Sequence, residues 1–294
     1  MATMWESRMR GAFLDARGIV RVTGAEAGRF LDNLLTNDVD RLAPGRAAYA
    51  ALLTPQGKII VDMIVSRVAD GFRLDVPRPH VADLMRRLTL YKLRSKVDLR
   101  DESDDLRVAA LWGDGMLPRV DGDLVFDPRL AGLGARAYLP AGAALPEGVS
   151  GNLDAWRAHR VALGVPHGGL DFVYGDTFPH EACLDQLNGV DFKKGCYVGQ
   201  EVVSRMEHRG TARTRVTPVL LDGLPPAIGE AVTAGPKTVG RMGSSANGRG
   251  LALLRLDRAE EARAAGVPLV AGAAMLTIEK PAWARFAYPG ETAA

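Results

Sequence analysis

The chain is short of the residues and patterns that most often announce a function. It has only two cysteines in 294 residues, Cys183 and Cys196, and no CxxC or Cys/His zinc spacing. An iron–sulfur cluster usually takes four protein ligands, which cysteine here cannot supply. One-signed charge is also missing. Thirty-seven basic residues stand against 35 acidic ones, a net charge of +2. That balance gives no case for bulk attraction to nucleic acid or to a membrane surface. No apolar run is long enough to span a bilayer, and the opening "MATMWESRMRGAF" has no signal-peptide core. These absences point to a soluble, cytoplasmic protein without nucleic-acid or membrane partners, in which a structural disulfide is not expected. There is no GxGxxG after a strand, no Walker loop, no HExxH and no GxSxG. No heptad run or long exposed apolar strand is evident either, so a monomer is expected.

What the chain does have is apolar content, 47% over 294 residues, enough for more than one packed core. "GIVRV" has the pattern of a strand. Thr23 and Glu26 then stand at capping-box spacing before Ala27, Phe30, Leu31, Leu34 and Leu35 at helical period, and the helix should end near "TND" (36–38). Strands are predicted on both sides of "TPQG" (54–57) and, after Asp70-Gly71, at "FRLDV". A helix is predicted over 80–91. "KLRSKVDL" (92–99) alternates and predicts a strand with Lys92, Arg94 and Lys96 on one face. "LRVAALW" and "ARAYL" predict further strands, and 152–163 a helix stopped by Gly164 and Pro166. From about residue 213 short strand-like runs recur between Gly and Pro: "RVTPVLL", "AVTAG", "TVGRMGSS", "GLALLRL" and "AMLTIEK", with one short helix at 258–265. The expected organisation is α+β for 1–212, in two modules, and a small β-barrel for 213–294.

The densest chemistry lies in "DFKKGCYVGQEVVSRMEHRG" (191–210). Val202, Val203 and Met206 recur at helical spacing, so a helix should start near Gly199 or Gln200 and end at Arg209-Gly210. Cys196 would then precede a helix N-terminus, whose unpaired N–H groups favour an anion. Lys193, Lys194 and Arg205 would add positive charge, and both influences favour a thiolate. Such a thiolate is either a nucleophile, with His180 or His208 as candidate bases, or one ligand of a metal group shared with a second protein. The competing reading is a small residue filling a packed turn. Asp62 sits mid-strand in "KIIVDMIV" among apolar neighbours, where it must be hydrogen-bonded or face a cavity. The bland readings are an edge-strand or Arg-paired carboxylate, and for the Lys92/Arg94/Lys96 stripe a solvated face.

The words "FLDNLLTNDV", "LLTPQGKIIVDMIV", "YKLRSKVDL" and above all "FKKGCYVGQEVVSR" resemble the YgfZ family, which is related to the folate-dependent aminomethyltransferase of glycine cleavage, the T-protein. The resemblance runs in the same order over nearly the whole chain, and KGCYxGQE is its specific word. It implies a T-protein-like fold of three modules in a cloverleaf with a C-terminal β-barrel. It implies a role in building or maintaining iron–sulfur clusters, chiefly 4Fe–4S clusters in target enzymes. It makes Cys196 the signature cysteine and places Asp62 where the T-protein has its catalytic aspartate. Asn37, Lys194, Gly195, Tyr197, Gly199, Gln200, Glu201 and Arg205 are the remaining site residues it implies. One departure concerns the "R-x-E-x-G" word whose glutamate grips a pterin. The corresponding stretch here is "HRVALGVP" (159–166), with Ala162 in the acid's place, so affinity for tetrahydrofolate should fall. In this the chain resembles the mitochondrial assembly factor of the family.

Three functions follow. In the first, Cys196 gives one thiolate to a transient iron–sulfur cluster shared with an A-type carrier or a glutaredoxin, for delivery to 4Fe–4S apoproteins, without classical enzyme activity. The second is a tetrahydrofolate-dependent one-carbon transferase with Asp62 holding the amine. The third is a thiol redox enzyme, which would need Cys183 as the resolving partner of Cys196.

Overall fold

The computed structural model describes residues 9–210 and 212–291. Residues 1–8, part of the stretch read above for a signal peptide, lie outside the described residues. The chain forms two compact units and crosses between them several times. Unit 1 takes Met1–Leu53, Val61–Trp156 and Asn188–Val198, and unit 2 takes Thr54–Ile60, Arg157–Leu187 and Gly199–Ala294.

The elements of unit 1 begin with β1 (Arg10–Phe13), β2 (Arg17–Thr23), α1 (Ala27–Asp32), β3 (Ala47–Leu53), β4 (Ile59–Val68, its first two residues counted in unit 2) and β5 (Gly71–Pro77). They continue with α2 (Val81–Lys92), β6 (Asp98–Asp101), β7 (Leu106–Trp112), β8 (Asp123–Phe126) and β9 (Ala135–Pro140). One sheet has the order β3-β4-β5-β2-β6, and a second has β1-β7-β9-β8. β2 pairs antiparallel with β5, Val20 opposite Leu74, and β7 pairs antiparallel with β9, Ala109 opposite Ala137. Alternation places Val20, Val22, Leu74 and Val76 on one face of the first sheet and makes a core of Ala109, Leu111, Ala137 and Leu139 on the second, while β4, β5 and β9 are buried on both faces, so that Arg73, Asp75 and Arg136 are buried too.

A layer of buried charge also lies in unit 1, and no local pattern announces it. Asp75 on β5 accepts from Arg17 of β2 and, at 2.8 Å, from Arg136 Nη1 of β9. Asp127 accepts from Arg129 Nη2 at 2.7 Å and from Arg136 Nε at 3.4 Å. Burial pushes the Asp127 carboxyl up, but Arg129 and Arg136 outweigh it and hold the group at about 2.

Unit 2 is built around a closed barrel of β10 (Thr214–Asp222), β11 (Ala231–Ala234), β12 (Lys237–Ala246), β13 (Arg249–Arg255), β14 (Leu269–Ala271) and β15 (Ala274–Ile278), in the order β10-β13-β12-β11-β14-β15. Val219, Val232, Met242, Leu254 and Leu276 fill it, and Ala259 and Ala262 of α5 (Leu256–Ala264) pack against them. α3 (Leu153–Ala162) passes from one unit into the other, and α4 (Gln200–Arg209) lies in unit 2. Buried Arg160 pairs with Asp171 at 2.8 Å and donates to Ser244 Oγ at 2.7 Å, tying α3 to the barrel strand β12.

Three expectations fail. The first helix, expected to run to about 36–38, ends at Asp32. The strand predicted over 92–99 is not one: α2 runs to Lys92, Leu93 takes φ +46°, and only β6 is extended. Lys92, Arg94 and Lys96 therefore share no strand face. The alternation there comes from a helix end followed by a turn, where period two carries no meaning. The Thr23/Glu26 capping box is also not formed. Glu26 is the residue before α1 but makes no cap. Its Oε2 instead accepts from the Lys96 backbone N–H at 2.7 Å, across the sheet edge.

Candidate functional site

The loop that carries Cys196 is held from below by its own lysine. Lys194 has a side chain only 1% exposed, and its ammonium donates to Asp32 Oδ1 and to the carbonyls of Leu35 and Asn37, each at 2.9 Å, and to the Asp32 carbonyl at 2.5 Å. These acceptors are the last turn of α1 and the residues after it, where carbonyls lack intrahelical partners and a cation is favoured. The "TND" word completes the attachment. Thr36 Oγ1 donates to the Gly189 carbonyl at 2.6 Å and accepts from the Ala51 N–H at 2.9 Å. Asn37 Nδ2 donates to the carbonyls of Tyr49 and Asn188 at 2.8 and 2.7 Å. The Asp191 N–H reaches the Thr36 carbonyl at 2.9 Å. Tyr197 is buried, and burial followed by the Asp191 charge pushes its hydroxyl well above the ordinary value.

The result is a stitched loop whose one uncommitted nucleophilic atom faces out: Cys196 is exposed and free. Gly195 is exposed beside it. The cationic field expected around the thiol is largely spent elsewhere. Lys194 neutralises Asp32, and Arg205 pairs with Glu201 one helical turn away. Lys193 remains exposed. α4 begins at Gln200, as expected. Gly199 precedes it at φ +82°, a left-handed conformation that suits glycine. In unit 2, Gly57 of the "TPQG" turn comes so close to α4 that a Cβ there would lie 2.9 Å from the Val202 Cβ.

Cys183 is sealed in unit 2. It is buried, takes φ +58°, and its Sγ lies 3.4 Å from the Val216 carbonyl that accepts from it. Burial pushes its thiol up to about 12 against the opposing influence of Arg215. Arg215 is itself clamped by Asp185 at 2.9 and 3.0 Å. The third function of the sequence reading, a redox pair, thus lacks a reactive second thiol. Both histidines offered as bases lie on the unit-2 side. His180 is buried with its Nε2 3.0 Å from Glu207 Oε2, and His208 is exposed on the last turn of α4. His180, Asp185 and Glu207 come together as nitrogen and oxygen donors, but both Asp185 oxygens already hold Arg215.

Asp62 is 6% exposed on β4 and accepts from the Tyr49 hydroxyl at 2.9 Å, which meets the expectation that it be hydrogen-bonded. Burial, then the Asp62 charge, pushes the Tyr49 hydroxyl well above its ordinary value, so it stays a donor. Arg129 stands 5.6 Å from the Tyr49 ring centroid, so Asp62 belongs to the buried charge layer of unit 1. Ala162 is exposed at the end of α3 and brings no carboxylate. Sequence reasoning missed the Lys194 anchor and the Arg129/Arg136 layer. A lysine directly before a glycine-cysteine pair was a signal for the first, whereas for the second the sequence offers only Arg136 inside the apolar run of β9, which does not reveal its partners.

Residues 10–115 match the GCVT N-terminal domain, and residues 213–286 match the CAF17 C-terminal beta-barrel domain. The chain is 35% identical over 281 residues to the mitochondrial iron-sulfur cluster assembly factor IBA57 of Mus musculus, covering 83% of this chain and 77% of that one. It is 35% identical over 271 residues to its Homo sapiens counterpart, covering 82% and 76%. A Mycosarcoma maydis homolog is 35% identical over 230 residues, and there the match spans 71% of this chain but only 57% of the relative's length. Among solved structures, the glycine cleavage system aminomethyltransferase T from Bartonella henselae superposes with a TM-score of 0.75 over 96% of this chain and 88% of that one, at 17% identity. At that identity the likeness shows the fold, which is that of the T-protein. The cytoplasmic address expected from the sequence is overturned by these relatives, which are mitochondrial proteins. No helix among the described residues is long and apolar enough to cross a membrane.

Proposed function

From its membership of the IBA57 family of iron–sulfur cluster assembly factors, to which the chain belongs, we propose that it lends Cys196 as one thiolate ligand to a cluster passing through it toward 4Fe–4S apoproteins. The observation that carries this reading is the pairing of an exposed, free Cys196 with a neighbouring lysine sunk into unit 1. The loop is fixed by Lys194 while the sulfur stays available. A single thiolate cannot complete a cluster that needs four protein ligands. The other ligands come from a second protein, an A-type carrier or a glutaredoxin, and the cluster is cargo rather than a resident group. KGCYxGQE then has a division of labour: Lys194 anchors, Gly195 keeps the approach to Cys196 narrow and open, Tyr197 fills the floor, and Gly199 turns the chain into α4. In this reading residues 1–212 carry the chemistry, and the barrel of 213–294 supports it.

Tetrahydrofolate fits the residues present less well. Ala162 presents a methyl group where a pterin-gripping carboxylate is needed, and Asp62 already accepts from Tyr49. No step is assigned to a folate, and the GCVT-type match is taken as lineage.

The experiment is an anaerobic titration of a purified A-type carrier with ferric iron and sulfide in the presence of this protein and a dithiol reductant, which supplies the electrons for any ferrous sites, followed by visible absorption. The expected result is a new sulfur-to-iron charge-transfer spectrum that is lost in Cys196→Ser and kept in Cys183→Ser. A spectrum that survives unchanged in Cys196→Ser sinks the reading.

A further inference from the structure

The end of α2 shows a surface that the proposed cluster role does not yet use. Three apolar side chains within four positions face solvent: Leu90 is 63% exposed, Tyr91 37% and Leu93 87%. Single exposed leucines are ordinary, but a run of them beside a hollow marks a contact surface. Leu93 caps α2 at φ +46°, ψ −107°, a conformation that L side chains rarely adopt and that costs about 1–3 kcal/mol. Glycine is the usual residue at such a helix end. Here the strained position carries a leucine and turns it outward.

Two hollows of unit 1 flank this ridge. One, of about 660 Å³, is lined by Glu26, Leu93, Arg94 and Ser95. The other, of about 250 Å³, lies between Tyr91 and the last turn of α1, with Arg29, Phe30, Asn33 and Leu34 in its wall. Arg29 and Arg94 line these hollows against one acid, Glu26, and form no ion pair among the described residues, with Lys96 next in the chain to Ser95, so the walls carry a net positive charge. The end of α1 receives the Lys194 ammonium on the Asp32 carbonyl, and the turn just after it on the Leu35 carbonyl. The wall of the second hollow is thus also the anchor of the Cys196 loop.

We propose that the Leu90–Tyr91–Leu93 ridge and its basic-rimmed hollows are the docking surface for an acidic, amphipathic segment of the protein that supplies the remaining cluster thiolates. The inference rests on the cluster reading above. Apolar side chains of the segment fill the hollows beside Leu93 and Tyr91, and its carboxylates meet Arg29, Arg94 and Lys96. A membrane surface is the poorer occupant. The smaller hollow is recessed between Tyr91 and the end of α1, a shape that the side chains of a protein segment fill and a planar bilayer surface does not.

The test is calorimetric titration of the apo A-type carrier into the full-length chain. Leu90→Asp/Leu93→Asp should weaken association by about 30-fold, as loss of a central apolar anchor does. Arg94→Glu should weaken it less, by about 5-fold, and flatten its salt dependence. Leu93→Gly separates binding from folding: it should raise the melting temperature by relieving the backbone while lowering affinity. Wild-type affinity in the leucine variants overturns the docking surface even if Cys196→Ser still abolishes the cluster. A cluster that survives Cys196→Ser, with the leucine variants still weakened, overturns only the cluster reading. Binding of the wild type to phosphatidylglycerol vesicles that the leucine variants lose, or no carrier association at all, also overturns the proposal.

Discussion

Each cysteine of this chain has a buried cation close by in its own unit, tied to a carboxylate, yet the two settings are opposites. In unit 1, Lys194 is clamped to Asp32, two positions before Cys196, and the thiol is exposed. In unit 2, Arg215 is clamped to Asp185 and influences the Cys183 thiol directly, and that thiol is buried. The difference lies in what the cation holds. Lys194 spends its three protons on a carboxylate and the backbone beneath the loop, so it fixes the peptide and leaves the sulfur out. Arg215 bonds Asp185 and the His180 carbonyl, closing the turn over the sulfur, with the Phe286 ring 4.1 Å from its guanidinium. A charged neighbour is therefore a poor guide to thiol reactivity unless the direction in which it bonds is known.

The comparison can be broken from either side. The largest effect is expected for Arg215→Met, which strands the Asp185 carboxylate, 2% exposed, without a counter-ion. Removing one partner of a buried pair costs about 3–5 kcal/mol, read as a lowered midpoint of guanidinium unfolding. The molecules that remain folded should still assemble a cluster. Lys194→Met should cost about 2–4 kcal/mol, since it leaves Asp32 and three carbonyls unmatched, and here cluster formation should fall together with stability. Equal stability loss with full cluster formation would mean that the lysine holds the fold and not the site. The smallest effect is the alkaline limb. The Cys183 thiol sits at about 12 in the folded chain against 9.0 ordinarily. Its buried neutral form adds stability below pH 9 that drains away as pH rises toward 12, because only the unfolded chain ionises there. The slope is at most about 1.4 kcal/mol per pH unit. Cys183→Ala should remove that slope when the two urea midpoints are compared at each pH, whereas Cys196→Ala should keep it.

Much of the fold was legible in the sequence because it obeys short-range periods. "LRVAALW" is β7 to the residue, α3 falls within a residue of its expected limits at each end, and five of the six barrel strands lie where alternation and Gly/Pro punctuation put them. β14 was missed because three residues are too few to show a period. The 92–99 strand was a false positive of the same rule, since a helix end followed by a turn produced alternation by chance. For the site, the helix start at Gln200 and the Cys196 loop were readable, but the charge around it was not. Arg136 and Asp75 are 61 positions apart, and Lys194 and Asp32 are 162 apart. Pairings that fold topology alone creates leave no mark on spacing. This is why the expected cationic field was drawn around the sulfur when Lys194 in fact points away from it.

Alkylation of the native chain with iodoacetamide, quenched and mapped by mass spectrometry, measures the availability of both sulfurs at once. The account predicts rapid labelling of Cys196, none of Cys183 before unfolding, and protection of Cys196 once the carrier, iron and sulfide have formed the shared cluster. Labelling of Cys196 at the same rate with and without that cluster would contradict it.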